Sequence, residues 1–512
     1  MSESDFRKKK IIIFFNNHIL VITTIILSSL LLRLYFFPFG VPLVLDSFGY
    51  FWYASDISLL GKLPEGYIFA NNGWSVFMGS FFSLLKLNGM ISYMELQRSI
   101  SVLISVLTVI PVYFLCKRFV DYKFAIIGAV IFAFEPRLIQ DSLSGLNNSL
   151  YIALEAIALV LFFSSNKYAK YYSFAIMGFA SLVRSEGLFL FFALSIIYFL
   201  NHRKNKREII RYAILFLIFF MIITPMAILR IQTTGSDALT SRIIGSTSEI
   251  MTNSTGNQGI FDYIINGSVT FIKFLGWDML PIFIFFVPLG IFLIFQNRNF
   301  ERNTIILTLI ISSIPTFYAY SAQALDTKYF YYHYPIFCVL SVLAIKKYDE
   351  FVSKQNLLLI IILIGIVIGS FVFLDVKLID VNHQKEASLV AQYVVNNAKG
   401  INNYYPEVAY VFPTELDKKW PILKSSFKTE LSVLRTEDFD SLKEFISFSK
   451  DSGLTHIVTD DNNKSPEFIK DVFFHPEKYP YLRLVFDYQK NGFTSYHVKV
   501  YEINYEKFMH NT

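Results

Sequence analysis

The sequence predicts a mainly α, polytopic transmembrane helix bundle of about 11–13 spans, with a small soluble α/β domain at its C-terminal end. Three observations predict it. Hydrophobic residues make up 54% of the 512 residues and charged residues only 17%, against roughly 25% charged in soluble domains. Long apolar runs recur throughout the first 374 residues, and beyond Leu374 the chain turns polar. This composition excludes disorder, collagen, a coiled coil, a disulfide scaffold and a single soluble core. The two cysteines, Cys116 and Cys338, lie in or beside apolar runs and are expected as free buried thiols. The net charge of +6 does not call for a nucleic-acid partner, because basic residues collect in cytoplasmic loops for topological reasons.

The elements follow in order. Arg7-Lys8-Lys9-Lys10 precedes an apolar stretch reaching about Phe37. That stretch exceeds the ~7–15 apolar residues of a signal peptide and ends in Tyr35-Phe36-Phe37-Pro38, not in small residues. It reads as an uncleaved first span with its basic end inside. Further apolar runs cover 98–116, 124–136, 147–163, 171–183, 187–200, 211–229, 271–295, 304–320, 331–345 and 356–374, making eleven. Gly73 to Leu87 is apolar and aromatic, and is either a twelfth span or a surface helix.

Charge parity decides between the two. If 73–87 does not span, the inside loops hold Arg7, Lys8, Lys9, Lys10, Lys117, Arg118, Lys123, Lys167, Lys170, Arg203, Lys204, Lys206, Arg207, Arg211, Arg298, Arg302, Lys346, Lys347 and Lys354, nineteen in all. The outside loops and helix ends hold Lys62, Lys86, Arg98, Arg137, Arg184, Arg230, Arg242, Lys273 and Lys328, nine in all. That is the positive-inside pattern, and a crossing at 73–87 would reverse it. The expected localisation is a multi-pass membrane protein with a cytoplasmic N-terminus. Residues 1–375 form the membrane domain and 376–512 an extracytoplasmic α/β domain. In the latter, Glu386–Ala398, Phe439–Ser449 and Pro466–Phe474 read as helices. Strands are expected at 408–412, 455–459, 482–486 and 497–501.

Charged residues inside a bilayer cost about 2.5–3.5 kcal/mol each, so their placement is informative. They gather on the outer side: Asp46, Asp56 and Glu65, then Glu135, Arg137 and Asp141, then Arg184 and Glu186, then Asp278, Asp326, Lys328, Tyr329 and His333. Asp46, Tyr50 and Ala54 recur every fourth residue and share one helical face. Asp46, just past the first span, suits a general base; it equally suits a helix N-cap. Arg184 with Glu186 suits a structural pair as well as a ligand site. His333 among Tyr331, Tyr332 and Tyr334 suits phosphate contact or an aromatic interface belt. Asp460-Asp461 follows a strand and suits a cation site, or a solvated strand-end turn, which is the reading preferred here. No clustered His/Cys ligands support zinc. Asn147, Asn253 and Asn266 begin glycosylation sequons.

Arg33, followed by Asp46, Tyr50 and Ala54, resembles the opening of the C-type (GT-C) integral membrane glycosyltransferases, which include protein O-mannosyltransferases and lipid A aminoarabinose transferases. Arg98-Ser99-Ile100-Ser101, opening a span that ends Tyr113-Phe114-Leu115-Cys116-Lys117-Arg118, is similar to that family's second helix, and Phe132-Ala133-Phe134-Glu135-Pro136 to its third. Leu182-Val183-Arg184-Ser185-Glu186-Gly187-Leu188 resembles its Thr-Arg-Pro-Glu-Gly-Leu turn, and Lys328-Tyr329 with Pro335 its Arg-Tyr…Pro helix start. Together these cover roughly residues 30–345. Ser47 stands where the mannosyltransferases often have Glu, and Asn147-Asn148 where related chains often have Ser-Glu. Nothing resembles the Trp-Trp-Asp-Tyr-Gly motif of oligosaccharyltransferases.

The resemblance implies a sugar donor on polyprenyl or dolichyl phosphate, a protein, glycan or lipid acceptor, and inverting transfer with Asp46 as catalytic base. It implies substrate binding by Tyr50, Arg98, Arg137, Arg184, Glu186, Lys328, Tyr329 and His333. No cofactor is expected; a divalent metal is left open without support from the sequence. The rival readings are a transporter and a metal-dependent oligosaccharide-transferring enzyme. A transporter would place its charges near the midplane in repeated halves, whereas this chain has no internal repeat and its charges sit on one side.

The charge count carries a direct test. A single cysteine near Ser425 labels with an impermeant thiol reagent on intact cells, and one near Asn205 does not. The reverse pattern would invert the topology.

Overall fold

Each apolar run becomes helix, and the departures lie where one run holds two elements. The computed structural model describes residues 18–65, 67, 72–237, 260–296, 298–351, 355–403, 431–462 and 465–510; the expected strand at 408–412 and the sequon at Asn253 lie outside them. The chain divides into two units. The first comprises Met1–Phe37, Asp56–Ser83 and Gln97–Leu374, and the second Pro38–Ser55, Leu84–Leu96 and Asp375–Thr512.

The helices run in order α1 His18–Tyr35, α2 Leu45–Leu60, α3 Gly73–Leu84, α4 Met90–Leu107, α5 Val109–Lys117, α6 Tyr122–Ala133, α7 Pro136–Ser144, α8 Asn148–Phe162, α9 Ala169–Val183, α10 Glu186–His202, α11 Lys206–Thr234, α12 Ile260–Met279, α13 Phe283–Gln296, α14 Phe300–Ser321, a 3-10 segment Thr327–His333, α15 Tyr334–Phe351 and α16 Gln355–Asn397. Among the described residues, Met90–Lys117, Lys206–Thr234, Phe300–Ser321 and Leu359–Asn397 are long and apolar enough for a single crossing. Ile19–Tyr35, Tyr122–Ala133, Asn148–Phe162 and Glu186–His202 are apolar but shorter. The 12 residues of α3 extend only about 18 Å, short of a ~30 Å hydrocarbon layer, in keeping with a helix that does not span. Helix starts are chemically marked: the side chains of Asn205 and Asn299 accept from the backbone N–H groups of Arg207 and Arg302.

The run 271–295, read as one span, is two helices bent by 110°. α12 ends at Met279 and α13 begins at Phe283. Phe271 and Phe274 of α12 pack on Tyr320, the penultimate residues of α14, and Phe271 also meets Phe330. Asp278, at the other end of α12, meets Tyr334 at the start of α15. α12 therefore lies along the end of the helices it touches, and α13 turns away from it into the core.

Arg33 ties the first unit together. It is fully buried, and its guanidinium donates to the carbonyl of Ala133 at 3.0 Å, to Ser105 Oγ at 3.1 Å, to Ser142 Oγ at 3.3 Å and to the Ser29 carbonyl at 3.3 Å. One side chain thus links α1, α4, the end of α6, and α7. The cysteines are free and buried.

The second unit holds a five-stranded sheet of order β2-β1-β3-β5-β4, with β1 Gly400–Asn402, β2 Ser432–Leu434, β3 His456–Asp460, β4 Leu482–Asp487 and β5 Val498–Ile503. β1 runs parallel to β2 and β3, and β5 runs antiparallel to β3 and β4. The β1–β3 ladder is short, and Asn402 extends it with its side chain: Oδ1 accepts from Val458 N at 2.7 Å and Nδ2 donates to Val458 O at 2.9 Å. The Glu386 carboxylate accepts from the N–H groups of Thr494, Ser495 and Tyr496, so the C-terminal part of α16 is pinned to the approach to β5. Leu442–Ser449 (α17) and Glu467–Phe474 (α18) form as expected, and Tyr505–His510 (α19) closes the chain.

Replacing Arg33 with Met removes the hydrogen bonds that its guanidinium makes in a buried site, although the Ala133 carbonyl keeps the Ser29 hydroxyl. At about 1 kcal/mol per hydrogen bond lost, Arg33→Met lowers stability by several kcal/mol. The measurement is a clear fall in the thermal unfolding midpoint of the detergent-purified chain; an unchanged midpoint would remove Arg33 from this role.

Candidate functional site

The polar residues singled out along the first unit meet where its helices end. α9 stops at Val183, and Arg184 takes an extended backbone (φ −147°, ψ 139°) before α10 starts at Glu186. The turn is tight: a Cβ on Gly187 would lie 2.5 Å from the backbone nitrogen of Ser181. The turn aims the Arg184 guanidinium at Glu186 Oε1, 2.5 Å away, and at Asn148 Oδ1. Asn148 Nδ2 donates to Asp141 Oδ1 at 2.7 Å. Asp141, Asn148, Arg184 and Glu186 are all buried. They form one chain of charge-assisted hydrogen bonds across α7, α8 and the α9–α10 turn. Asn148 stands where the resemblance led one to expect an acid, and its amide bridges a guanidinium and a carboxylate that would otherwise lack a common partner.

A second group gathers around Arg137. Its guanidinium donates to the carbonyl oxygens of Trp277 and Leu280, each at 2.5 Å. The Glu135 and Asp278 carboxylates lie 3.6 Å from it. These carbonyls lie at the break between α12 and α13, where Trp277 O also accepts from Leu280 N at 3.3 Å, so Arg137 caps a helix end. Glu135 also caps α7, accepting from Leu138 N at 2.9 Å, with Pro136 at the first helical position. Tyr331 feels the charges of Asp141, Asp278 and Glu135 together, so it lies between the two groups.

Lys328 sits in the 3-10 segment, its Nζ 3.1 Å from Asp326 Oδ2, with 23% side-chain exposure. Asp326 caps that segment through Lys328 N. The carbonyl of Tyr329 accepts from Thr316 Oγ1. His333 is fully buried, with Nδ1 and Nε2 each 3.4 Å from the hydroxyls of Ser312 and Ser313 and with Phe330, Tyr332 and Phe337 around its ring. It is a packed core histidine, neither in an interface belt nor open to a ligand. Arg98 is 2% exposed on α4, beside Gln97, which donates to the Gly145 carbonyl.

Asp46 and Tyr50 belong to the second unit. Asp46 is the second residue of α2 and exposed, inside the first turn and not at the cap itself. An acid there complements the helix dipole. Leu45, immediately before it, has φ +51°, a left-handed backbone that a leucine rarely adopts and that is enriched at functional positions. Tyr50 and Ala54 follow on the same face and are buried.

Other residues singled out in the sequence take the following places. Asp460 is not solvated: it is 2% exposed, accepts from Ser465 Oγ at 2.7 Å and from Asn462 N at 3.3 Å, and burial raises its carboxyl. Asp461 pairs with His497 at 2.7 Å. Asn147 is buried against the Val183 carbonyl. Among the described residues, no three His, Cys, Asp or Glu side chains converge on a metal position, so no ligand set for a divalent ion emerges from them. Glu155, fully buried on α8, was not singled out by sequence because a lone acid among apolar residues carries no motif.

Asp141 lies in the connection between α6 and α8, and burial lifts its carboxyl from 3.8 to about 7, against the lowering pull of Asn148 and Arg184. A carboxyl that holds its proton more tightly when folded favours the folded state at low pH, and that contribution fades as pH rises from about 4 to about 7. Stability of the purified chain is therefore expected to fall across this window, and Asp141→Asn to flatten that part of the profile. A profile unchanged by the substitution would place Asp141 in solvent.

A family model described as dolichyl-phosphate-mannose-protein mannosyltransferase matches residues 68–228. No curated protein sequence matches the chain. Among solved structures, ArnT from Cupriavidus metallidurans bound to undecaprenyl phosphate is similar at 11% identity and a TM-score of 0.53, over 94% of this chain and 97% of that one. The oligosaccharyltransferase AglB from Archaeoglobus fulgidus, in complex with an inhibitory peptide and a dolichol-phosphate, is similar at 12% identity and a TM-score of 0.55, over 87% and 70%. The same organism's oligosaccharyltransferase in complex with Zn and sulfate is similar at 12% identity and a TM-score of 0.56, over 85% and 68%. The multi-pass helical architecture, the small sheet near the C-terminus and the motifs of the first 345 residues thus converge, and the chain carries the fold of the C-type (GT-C) membrane glycosyltransferases.

Proposed function

We propose that this chain is an inverting glycosyltransferase that moves a sugar from a polyprenyl- or dolichyl-phosphate donor to an acceptor hydroxyl on the outer side of the membrane. The observation that carries the reading is the buried ionic chain of Asp141, Asn148, Arg184 and Glu186 beside Arg137 and Lys328, all at helix ends of one apolar bundle. Groups so costly to bury are retained where charge must be handled, and a lipid-borne donor explains an enzyme with so many apolar helices. The likeness to structures solved with undecaprenyl phosphate and dolichol-phosphate supports the same donor class.

In this reading the acceptor oxygen attacks the anomeric carbon while Asp46 takes its proton. The bond from that carbon to the lipid-phosphate oxygen breaks on the opposite face. The departing phosphate needs cations in a site of low dielectric. Arg137 and Arg184 are already engaged by protein oxygens and serve to hold the frame. Lys328, partly exposed on the 3-10 segment, is the first candidate to meet phosphate, and Arg98 is the second. Tyr50, Tyr329 and Glu186 line or position the substrates; His333 acts through packing. The acceptor is a protein, glycan or lipid, and the C-terminal domain lies outside.

Radiolabelled transfer from lipid-phosphate sugars by the purified chain tests this. Asp46→Asn keeps the shape and the dipole partner's hydrogen bonding but removes the base, so turnover falls by about 100-fold or more with the unfolding midpoint unchanged. Transfer from a soluble nucleotide sugar without any lipid carrier would sink the donor assignment, and near-normal turnover by folded Asp46→Asn would sink the base.

A further inference from the structure

At the end of the first unit remote from the candidate site, cations outnumber acids and the acids are already engaged. α8 and α10 leave the site at Asn148 and Glu186 and end at Phe162 and His202, roughly 20–25 Å away along their axes. There Phe300, the first residue of α14, stacks on Phe162 with ring centroids 5.8 Å apart and meets the His202 ring edge-on. His202 and Tyr212 of α11 both stack on Tyr198. These rings bring the α8–α9 turn, the α10–α11 turn and the start of α14 to one place. The two turns and the first residues after them carry Lys167, Lys170, Arg203, Lys204, Lys206 and Arg207. Of the nearby acids, Glu208 accepts from Tyr198 Oη at 2.6 Å and pairs with Arg211, and Glu301 of α14 pairs with Arg118 at 2.8 Å. Lys167, Arg203, Lys204, Lys206 and Arg207 are exposed, and none of them forms an ion pair among the described residues.

Membrane topology alone accounts for cations on such turns. It does not account for what continues from them. α11 starts at Lys206, capped by Asn205. From Arg207, the residues Ile210, Ile214, Leu217 and Met221 follow at i+3, i+7, i+10 and i+14, so all five fall within about 80° of one helical face. The four apolar ones are exposed. They form a lane of about 16 Å from Ile210 to Met221, close to one leaflet's half of a ~30 Å hydrocarbon layer. α9 packs on α11, where a Cβ on Gly178 would lie 2.8 Å from Ile222 Cβ. Tyr168, which precedes α9, and Tyr172 in its first turn are exposed, as tyrosines at the level of lipid headgroups are.

We propose that this end of the first unit binds an anionic phospholipid, with its phosphate on Arg203, Lys204, Lys206 and Arg207 and an acyl chain along the lane from Ile210 to Met221. A soluble polyanion would answer the cations and leave the lane uncovered. A zwitterionic lipid would cover the lane and bring its own ammonium against the cations. An anionic lipid answers both, and arginine can hold its phosphate by two parallel hydrogen bonds. The bound lipid bridges the α10–α11 turn and the first half of α11, so it stabilises the folded chain by mass action. The inference goes beyond the glycosyltransferase reading and does not depend on it.

The test uses the full chain in detergent micelles doped with dioleoyl phosphatidylglycerol or, at the same mole fraction, dioleoyl phosphatidylcholine. Phosphatidylglycerol is expected to raise the thermal unfolding midpoint by several degrees, and phosphatidylcholine to leave it in place. In the unaltered chain, 1 M sodium chloride shortens the screening length to about 3 Å and removes most of the shift. Each basic residue at a membrane surface contributes about a fivefold gain in affinity for anionic lipid. The double variant Lys206→Gln with Arg207→Gln therefore binds phosphatidylglycerol roughly 30-fold more weakly, with its midpoint in phosphatidylcholine unchanged. Lys346→Gln with Lys347→Gln removes the same charge from the end of α15 and keeps the shift. Dihexanoyl phosphatidylglycerol, which carries the same headgroup on short tails, binds at least tenfold more weakly than the dioleoyl lipid. An equal shift from inorganic phosphate or from heparin would make this a surface for soluble anions and overturn the proposal. An equal shift from phosphatidylcholine, or one that survives both the double variant and the salt, would overturn it as well and leave these cations to topology alone.

Discussion

Everything in the first unit is arranged around the cost of keeping guanidinium groups inside an apolar bundle. Without water, each donor must find an oxygen within the protein. Several of the oxygens on offer lie at helix ends, as backbone carbonyls left over there or as side chains of the first and last turns. Arg33 finds the carbonyl of Ala133, where α6 stops. Arg137 finds Trp277 and Leu280, where α12 breaks from α13. Arg184 is itself the residue after the last turn of α9 and reaches Asn148 and Glu186 at the starts of α8 and α10. Buried cations and interrupted helices are therefore one feature: the breaks make the carbonyls available, and the cations make the breaks tolerable. The polar groups collect at helix ends because that is where backbone acceptors are spare.

The second unit solves a different problem. Its strands β1 and β2 are three residues long, too short for ladders to align them firmly. Side chains take over that task. Asn402 mimics a backbone pair to Val458, and Glu386 satisfies three consecutive N–H groups before β5. Asn403 does the same for Thr436, accepting from both its N–H and its hydroxyl. Short strands with polar staples allow a sheet to persist on a small apolar core.

Hydropathy made the helices legible because eleven runs of apolar residues leave no other solution in lipid. It did not reveal the bend at 280–282, because Leu280, Pro281 and Ile282 are themselves apolar and the run continues through them. It did not reveal β1 and β2, because three residues carry no alternation. In the candidate site, the Arg184–Glu186 pairing was readable because the partners are two residues apart. The Arg137 carbonyls and the Asp141–Asn148 bridge were not, because nothing in a sequence announces a partner 140 residues away or an amide that substitutes for an acid. The burial of His333 was not legible either, because tyrosines that flank a histidine look alike in an interface and in a core.

The charges that converge here pose a constraint on any phosphate that approaches. Among the described residues, Asp141, Glu186, Glu135 and Asp278 gather around two buried guanidinium groups, Arg137 and Arg184. Ionised together, the acids would outnumber those cations and repel an anionic donor. Two arrangements ease this. Arg137 and Arg184 spend much of their hydrogen bonding on neutral carbonyl and amide oxygens, which engage the donors without cancelling the charge. Asp141, with its carboxyl raised to about 7 by burial, carries a proton for a large fraction of the time near neutral pH. Both leave the local field more positive than the count of side chains suggests. On the proposed reading, the field that receives the lipid phosphate is thus set less by adding cations than by neutralising acids, and Lys328, paired at the partly exposed surface with Asp326, remains the cation that can change partners when the donor arrives.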